Sequence, residues 1–372
     1  MTNDEPTLSR RILVQGLALG AGTAKNGSMN TPSASRHVAV LSVGEFGARG
    51  DGRTDDSGAF QRAIAAASRS GSRLRIPAGR YRIARTLEIT RGICIEGDGV
   101  EHTVLEGAVG PGHPVLHILA TATDSVIGPA LAGLRITGGE GDARCDGVRL
   151  STGGTGAAIH QAVLRDLYIT HVGTGLALSG VVYRSCFENI TVSKGVSRYG
   201  IYCDAGFEDV TYNSFRDIEV TDAGPSAYAF WIHSNYSNFT NLTADSCCYF
   251  SSPGGSLRNL AIEGISADKP ATDVLLTFNQ MQIIEAINLI GIDPRKCPSG
   301  IKVIGQGTVI NGIRCMSLQP RRLFLLDQNS EGVVIGVQTE RAAAMIEDYI
   351  PAAILERWVF MAARAVTRRR SG

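Results

Sequence analysis

The chain has little charge and no long apolar run. Only 19% of its 372 residues are charged and the formal net charge is +1, so its overall electrostatics favour neither nucleic acid nor a membrane surface. No apolar stretch reaches the roughly 18 residues of a membrane span. The eight cysteines, Cys94, Cys145, Cys186, Cys203, Cys247, Cys248, Cys297 and Cys315, contain no close C-x-x-C pair, which argues against a zinc site. Most stand beside β-branched or aromatic residues, as small buried apolar side chains do, and one or two disulfides remain open. Glycine, by contrast, is abundant at 44 residues. A chain of this length holds two ordinary domains or one long solenoid, and this composition favours the solenoid.

Near the N-terminus, Ser9-Arg10-Arg11-Ile12-Leu13 leads into an apolar stretch that ends at Gly22-Thr23-Ala24. The pattern resembles a twin-arginine export signal with a small-residue cleavage site, departing from it at Leu13 and Gln15. The expectation is a signal over 1–24, a polar linker over 25–42 and a periplasmic or extracellular protein.

The strongest argument for fold is internal repetition. One phrase recurs as Leu164-Arg165-Asp166-Leu167, Phe187-Glu188-Asn189-Ile190, Phe215-Arg216-Asp217-Ile218, Phe239-Thr240-Asn241-Leu242 and Leu257-Arg258-Asn259-Leu260, at steps of 23, 28, 24 and 18 residues. Ala286-Ile287-Asn288-Leu289 and Val309-Ile310-Asn311-Gly312 continue it more weakly. Each phrase reads as part of one coil, with coils stacked edge to edge about 4.8 Å apart. The recurring Asn or Asp is expected to form a structural ladder at a bend. Asn-x-Thr triplets at Asn189, Asn238 and Asn241 read as turn chemistry.

A second series, from Val148-Arg149-Leu150-Ser151 to Ile301-Lys302-Val303-Ile304, supplies another strand per coil. Alternation places one outward column as Arg149, Ala177, Tyr202, Trp231, Tyr249, Leu275, Lys302 and the next as Ser151, Ser179, Asp204, His233, Ser251, Thr277, Ile304. Tyr202, Trp231 and Tyr249 then form an exposed aromatic strip, a surface that sugar rings stack on. Asp204 and His233 become neighbours suited to proton transfer, and Tyr183, Arg184, Glu208, Asp209, Asn235 and Tyr236 are placed in loops over the same face. A second-ranked column holds His171, Lys194, Asp222 and Ser246.

The segment Val43-Gly44-Glu45-Phe46-Gly47-Ala48-Arg49-Gly50-Asp51-Gly52-Arg53-Thr54-Asp55-Asp56 precedes a short amphipathic helix pattern and Ile76-Pro77-Ala78-Gly79-Arg80-Tyr81. Its glycines suit tight turns and its acids suit a helix start, so the three aspartates read as structural. This order resembles the opening of the pectate-lyase-like superfamily, more narrowly the segment shared by rhamnogalacturonase/epimerase-type proteins and many phage tailspikes. The resemblance runs to Ile95-Glu96-Gly97-Asp98-Gly99. It implies an all-β, single-stranded right-handed parallel β-helix over 43–340. A capping helix at 55–69 and a helical basic tail at 341–372 complete the expectation. The tail's apolar stripe is Ile354, Trp358, Met361 or Ala362, and Ala365.

The resemblance also implies a polysaccharide partner. The polygalacturonase set of three aspartates, Gly-His-Gly and Arg-x-Lys is absent, as is a calcium-lyase cluster of acids with a downstream arginine motif, so no catalytic residue carries over. The functional expectation is a secreted enzyme cleaving glycosidic bonds in an acidic, uronate-containing polysaccharide, as a lyase or a hydrolase. The alternative is a non-catalytic carbohydrate-binding or tailspike-like β-helix. Asp204, His233 and Tyr202 are the candidate catalytic residues. Trp231, Tyr249, Arg149, Arg184 and Lys302 are the candidate substrate-binding residues. No metal ligand is assigned, no cofactor is expected apart from calcium in the lyase case, and monomer and trimer both fit.

Overall fold

The computed structural model describes residues 38–121, 123–139, 144–154, 156–204, 210–224, 226–264, 274–316, 322–339, 344–346, 354 and 356–361. The export signal and most of the linker expected at the N-terminus lie outside these residues.

One coil shows how the chain folds. Val163–Thr170 lies in sheet 1, Thr174–Ser179 in sheet 2 and the short Val182–Tyr183 in sheet 3. Cys186–Ser193 then returns to sheet 1 beside Val163–Thr170, pairing Leu164 with Phe187 and Leu167 with Ile190. Among the described residues, repetition builds a 16-stranded sheet 1, an 11-stranded sheet 2 and a four-stranded sheet 3, and the ladders between strands are parallel. The result is a parallel β-helix.

The repeated phrase explains the bend in sheet 1. Its inward residues are three positions apart, as Leu164 and Leu167 are, which strict alternation forbids. The residue between them absorbs the mismatch by turning left-handed: Asp166, Asn189, Asp217, Asn241 and Asn259 have φ of 51 to 59°. Asn and Asp tolerate this region better than other side-chain-bearing residues. Their side chains form the ladder: Asn189 Nδ2 donates to Asp166 Oδ1 at 2.7 Å, Asn241 to Asp217 at 2.8 Å and Asn259 to Asn241 at 2.9 Å. The two weakest repeats fall out of step. Ala286 and Gly312, not Asn288 and Asn311, occupy the left-handed slot.

Inside, Phe187, Phe215 and Phe239 stack at centroid separations of 4.8 and 5.1 Å, and all three are essentially buried. Each such ring contributes about 1.5–3 kcal/mol of burial free energy, and no single coil could enclose it. Among the described residues the eight cysteines form no disulfide. Burial pushes the Cys203 and Cys248 thiols far up and that of Cys315 to about 12, so they behave as inert apolar filling.

At the N-terminal end, the helix Ser57–Ser70 buries Ala59, Phe60, Ala63, Ile64 and Ala67. It packs against Val40–Ser42, Arg73–Ile76 and Leu87–Ile89, and Gly71 closes it at φ 67°. The aspartates before it are structural. Asp56 accepts the N–H groups of Arg49 and Gly50 at 2.8 and 3.1 Å. Asp51 accepts those of Arg53 and Thr54, both at 2.8 Å, and these bonds hold its carboxyl at about 2.

The expectation of a helical tail is corrected at Trp358–Met361. These residues form a strand that pairs in parallel with Gly332–Ile335 and extends sheet 1. Trp358 is buried and its indole donates to Ser330 Oγ at 3.2 Å. Gly332 makes room for that ring, because a Cβ there would stand 2.8 Å from it. The four residues are aromatic, β-branched or flexible and suit an edge strand better than a helical stripe. Ala362, Ala365 and the rest of the basic tail lie outside the described residues.

Candidate functional site

Sheet 2 carries the aromatic strip. Its register pairs Arg149 with Ala177, Ala177 with Tyr202, Tyr202 with Trp231, and Trp231 with Tyr249. Tyr249 continues to Thr277 and Thr277 to Lys302. Leu275, expected in this column, is instead fully buried. The neighbouring column runs Ser151, Ser179, Asp204, and then His233, Ser251, Asn279, Ile304. Asn279 therefore replaces Thr277 there. Both corrections have one cause: Val274–Asn279 sits two residues further along than its apolar pattern indicates, with Leu276 and Phe278 inward.

Tyr202, Trp231 and Tyr249 are half-buried and share their surroundings with two tyrosines that the sequence columns did not include. Trp231 lies parallel to Tyr249 at 4.6 Å, edge-on to Tyr228 at 4.9 Å and edge-on to Tyr199 at 6.2 Å. Tyr199 also meets Tyr202 at 4.5 Å. These are favourable offset and edge-to-face geometries. They also mean that no sugar ring enters between Trp231 and Tyr249, so the strip offers its outer edges and unshared faces. Asn279 Nδ2 donates to Tyr249 Oη at 3.1 Å and fixes that ring.

The cations stand apart from this centre. Arg149 and Lys302 are each three coils from Trp231, about 14 Å along the axis at the usual strand spacing. Arg149 donates to Asp146 Oδ2 and to the Gly112 carbonyl, both at 2.9 Å. Asp146 is buried, accepts the Thr174 N–H at 2.9 Å and is also bound by Arg198. Its carboxylate thus neutralises much of the charge that Arg149 brings. His117, beside Arg149 in the register, is held below its ordinary pKa by burial and then by that guanidinium. Its Nε2 lies 2.7 Å from Ser151 Oγ.

Arg184 is not part of the strip. It follows Val182–Tyr183 of sheet 3 at φ 52°, on the turn into sheet 1. Asn235 and Tyr236 belong to the same side: Asn235 bridges to Thr211, and Tyr236 stacks on Tyr212 at 5.1 Å. Asp204 ends its strand opposite Ser179; its side chain, with Glu208 and Asp209, lies outside the described residues. His233 pairs with Ser251 and is half-exposed. Among the described residues no group of three or more His, Cys, Asp or Glu stands close enough to hold a metal ion.

Residues 40–116 match the family described as rhamnogalacturonase A/epimerase, pectate lyase-like. The matched segment is similar to the pectate-lyase-like family, and the described residues fold as a parallel β-helix. The chain is 35% identical over 89 residues to mannuronan C5-epimerase AlgE1 of Azotobacter vinelandii, covering 22% of this chain and 6% of that one. It is 40% identical over 65 residues to the pre-neck appendage protein of Bacillus phage B103, covering 18% and 7%. The matches thus span less than a tenth of either relative. The A-module of mannuronan C-5 epimerase AlgE6 from Azotobacter vinelandii has a TM-score of 0.48 at 14% identity, covering 87% of this chain and 100% of that one.

The β-helix also has a cleft that the sequence columns only touched. It lies on the outward face of sheet 1, encloses about 390 Å³ and includes His171 and Lys194 of the second-ranked column. Arg80, Glu106, Arg135 and Tyr168 complete it. The signal available in the sequence was the alternation beyond the left-handed slot, which turns Tyr168 outward and pairs it with Arg135.

Proposed function

We propose that this β-helix binds a polysaccharide along the outward face of sheet 2 and cleaves its glycosidic bonds there, the sugar chain running along the coil axis. The observation that supports this reading is the placement of Tyr202, Trp231 and Tyr249 on three successive coils, with the Asp204 and His233 positions two residues further along their strands. Trp231 and Tyr249 supply apolar contact to sugar. His233 and Asp204 exchange the proton, with Tyr202 as the alternative base. Arg149 and Lys302 stand at the two ends of the strip, about 29 Å apart along the axis, where they attract an acidic, uronate-containing chain over several residues. Arg184 serves at most as a contact from the adjoining face. Elimination needs a base beside a neutralised carboxylate, and a calcium ion enters only in that case. Hydrolysis needs two carboxyl groups astride the bond, Asp204 with Glu208 or Asp209.

A second reading, binding without turnover, is favoured by one specific observation. The five rings of the cluster pack closely on one another, as in a rigid adhesive surface. Product analysis against a panel of acidic and neutral polysaccharides separates the readings. Ultraviolet-absorbing unsaturated uronides indicate elimination, new reducing ends without unsaturation indicate hydrolysis, and retention without products indicates binding alone. On the enzymatic reading, His233→Ala lowers turnover by roughly 10²–10⁴-fold with the fold intact; undiminished turnover overturns it.

The proposal extends to location. Ser9-Arg10-Arg11 before an apolar stretch supports twin-arginine export of the folded protein. Changing Arg10 and Arg11 to Lys should retain the precursor inside the cell, and unchanged export refutes the assignment.

A further inference from the structure

The cleft on sheet 1 differs chemically from the aromatic strip. Three fixed cations, Arg80, Arg135 and Lys194, line it against one carboxylate, Glu106. Glu106 is already held by Arg80. Arg135 donates through Nη2 to Glu101 at 2.5 Å, while its Nε is buried without a partner. An orphaned donor of this kind asks for an explanation, and an absent ligand is one. Lys194 is the free charge: it lines the cleft with no ion pair to any described residue.

Tyr168 organises these groups. The Arg135 guanidinium, from the preceding coil, lies 4.8 Å from the centre of its ring, and Lys194 Nζ, from the following coil, lies 5.9 Å from it. Two cations bracketing one phenol repel each other, an arrangement that a bound anion relieves. Lys194 and His171 hold left-handed backbone at φ 57 and 53°. The same left-handed turn recurs at the equivalent Asp222, so it belongs to the geometry of the coil. Lys194 and His171 each sit at the end of a sheet 1 strand, beside the cleft.

We infer that this cleft is a second binding site, separate from sheet 2, for a single anionic sugar residue of the uronate class. Lys194 and Arg135, the two cations at the Tyr168 ring, receive the carboxylate, and Tyr168, His171 and Thr170 meet the hydroxyl groups. The volume suits one sugar ring with its hydration. Lys194 acts as a hydrated point charge, which makes the affinity salt-sensitive. The inference does not depend on what sheet 2 does.

The test is titration of the full chain with D-glucuronate, D-glucose and inorganic sulfate, by calorimetry and by nuclear magnetic resonance. Trp231 is one of only two tryptophans, so its indole resonance reports on the strip. Glucuronate should bind, with glucose and sulfate each weaker by about tenfold or more. Lys194→Met should weaken binding in the cleft by a similar factor without lowering the melting temperature and Lys194→Glu should abolish it, while any shift of the Trp231 indole stays the same in all three proteins. Glucose or sulfate binding as tightly as glucuronate overturns the inference. So does an unaffected Lys194→Met, or a Trp231 indole shift that disappears with Lys194→Met.

Discussion

Replacing Trp231 with alanine separates packing from recognition. Its ring meets Tyr249 at 4.6 Å and Tyr228 at 4.9 Å. Each aromatic pair is worth about 0.5–1.5 kcal/mol beyond burial, so truncation should cost about 1–3 kcal/mol of stability. If the strip also carries the sugar chain, Trp231 is its central anchor. A central aromatic anchor typically contributes at least about 2 kcal/mol to binding, which is roughly a 30-fold loss of affinity. Trp231→Phe keeps a ring against Tyr249 and should lose less of both. Tyr212→Ala, on an exposed ring beyond sheet 3, should leave affinity unchanged. Affinity electrophoresis or calorimetry with the best polysaccharide, paired with thermal unfolding, reads both quantities. A Trp231→Ala protein that unfolds earlier yet binds as tightly as wild type would refute the reasoning and leave the strip as packing alone.

Three further outcomes follow from the coils. Phe215→Ala removes the middle ring of the buried phenylalanine stack and should cost about 3–5 kcal/mol in denaturant unfolding; a loss under about 1 kcal/mol would contradict the packing. Asn241→Ala breaks the bonds to Asp217 and Asn259 and strains a residue at φ 54°. It should cost about 1–3 kcal/mol, and Asn241→Gly less, because glycine accepts the left-handed backbone. His117 is held below its unperturbed value of 6.5, first by burial. The unfolded chain therefore binds its proton more readily, and His117 contributes stability that is present above pH 6.5 and is lost as the pH falls below it. The melting temperature of His117→Gln should decline less steeply over that range; parallel curves would exclude His117 as a source of the acid sensitivity.

How much of this could be read from the chain depended on where the bend carried its own chemical mark. Asp166, Asn189, Asp217, Asn241 and Asn259 advertise the left-handed slot because their side chains both tolerate it and bond along it. That mark fixed the register of the central coils and hence Tyr202, Trp231 and Tyr249. Where the slot is filled by Ala286 or Gly312, the mark is missing and the repeat was placed on the wrong asparagine. Leu275 was misplaced because Val274–Asn279 is shifted by two residues, a slip that keeps the same alternation and so leaves no mark in the apolar pattern. Trp358–Met361 satisfied a helical spacing by coincidence, and only pairing with Gly332–Ile335 made it a strand. The sheet 1 cleft was the least visible feature. Arg80, Arg135, Tyr168 and Lys194 come from four different coils, and only Arg135 and Tyr168 are aligned by the position just beyond the left-handed slot.

The central claim is that sheet 2 is the surface on which a polysaccharide lies. The most direct test is the structure of the protein bound to an oligosaccharide of the polymer it retains best. The account predicts a chain lying parallel to the coil axis across Tyr202, Trp231 and Tyr249, with one sugar beside His233. An oligosaccharide bound only on sheet 3 or in the sheet 1 cleft, with the strip bare, would contradict it.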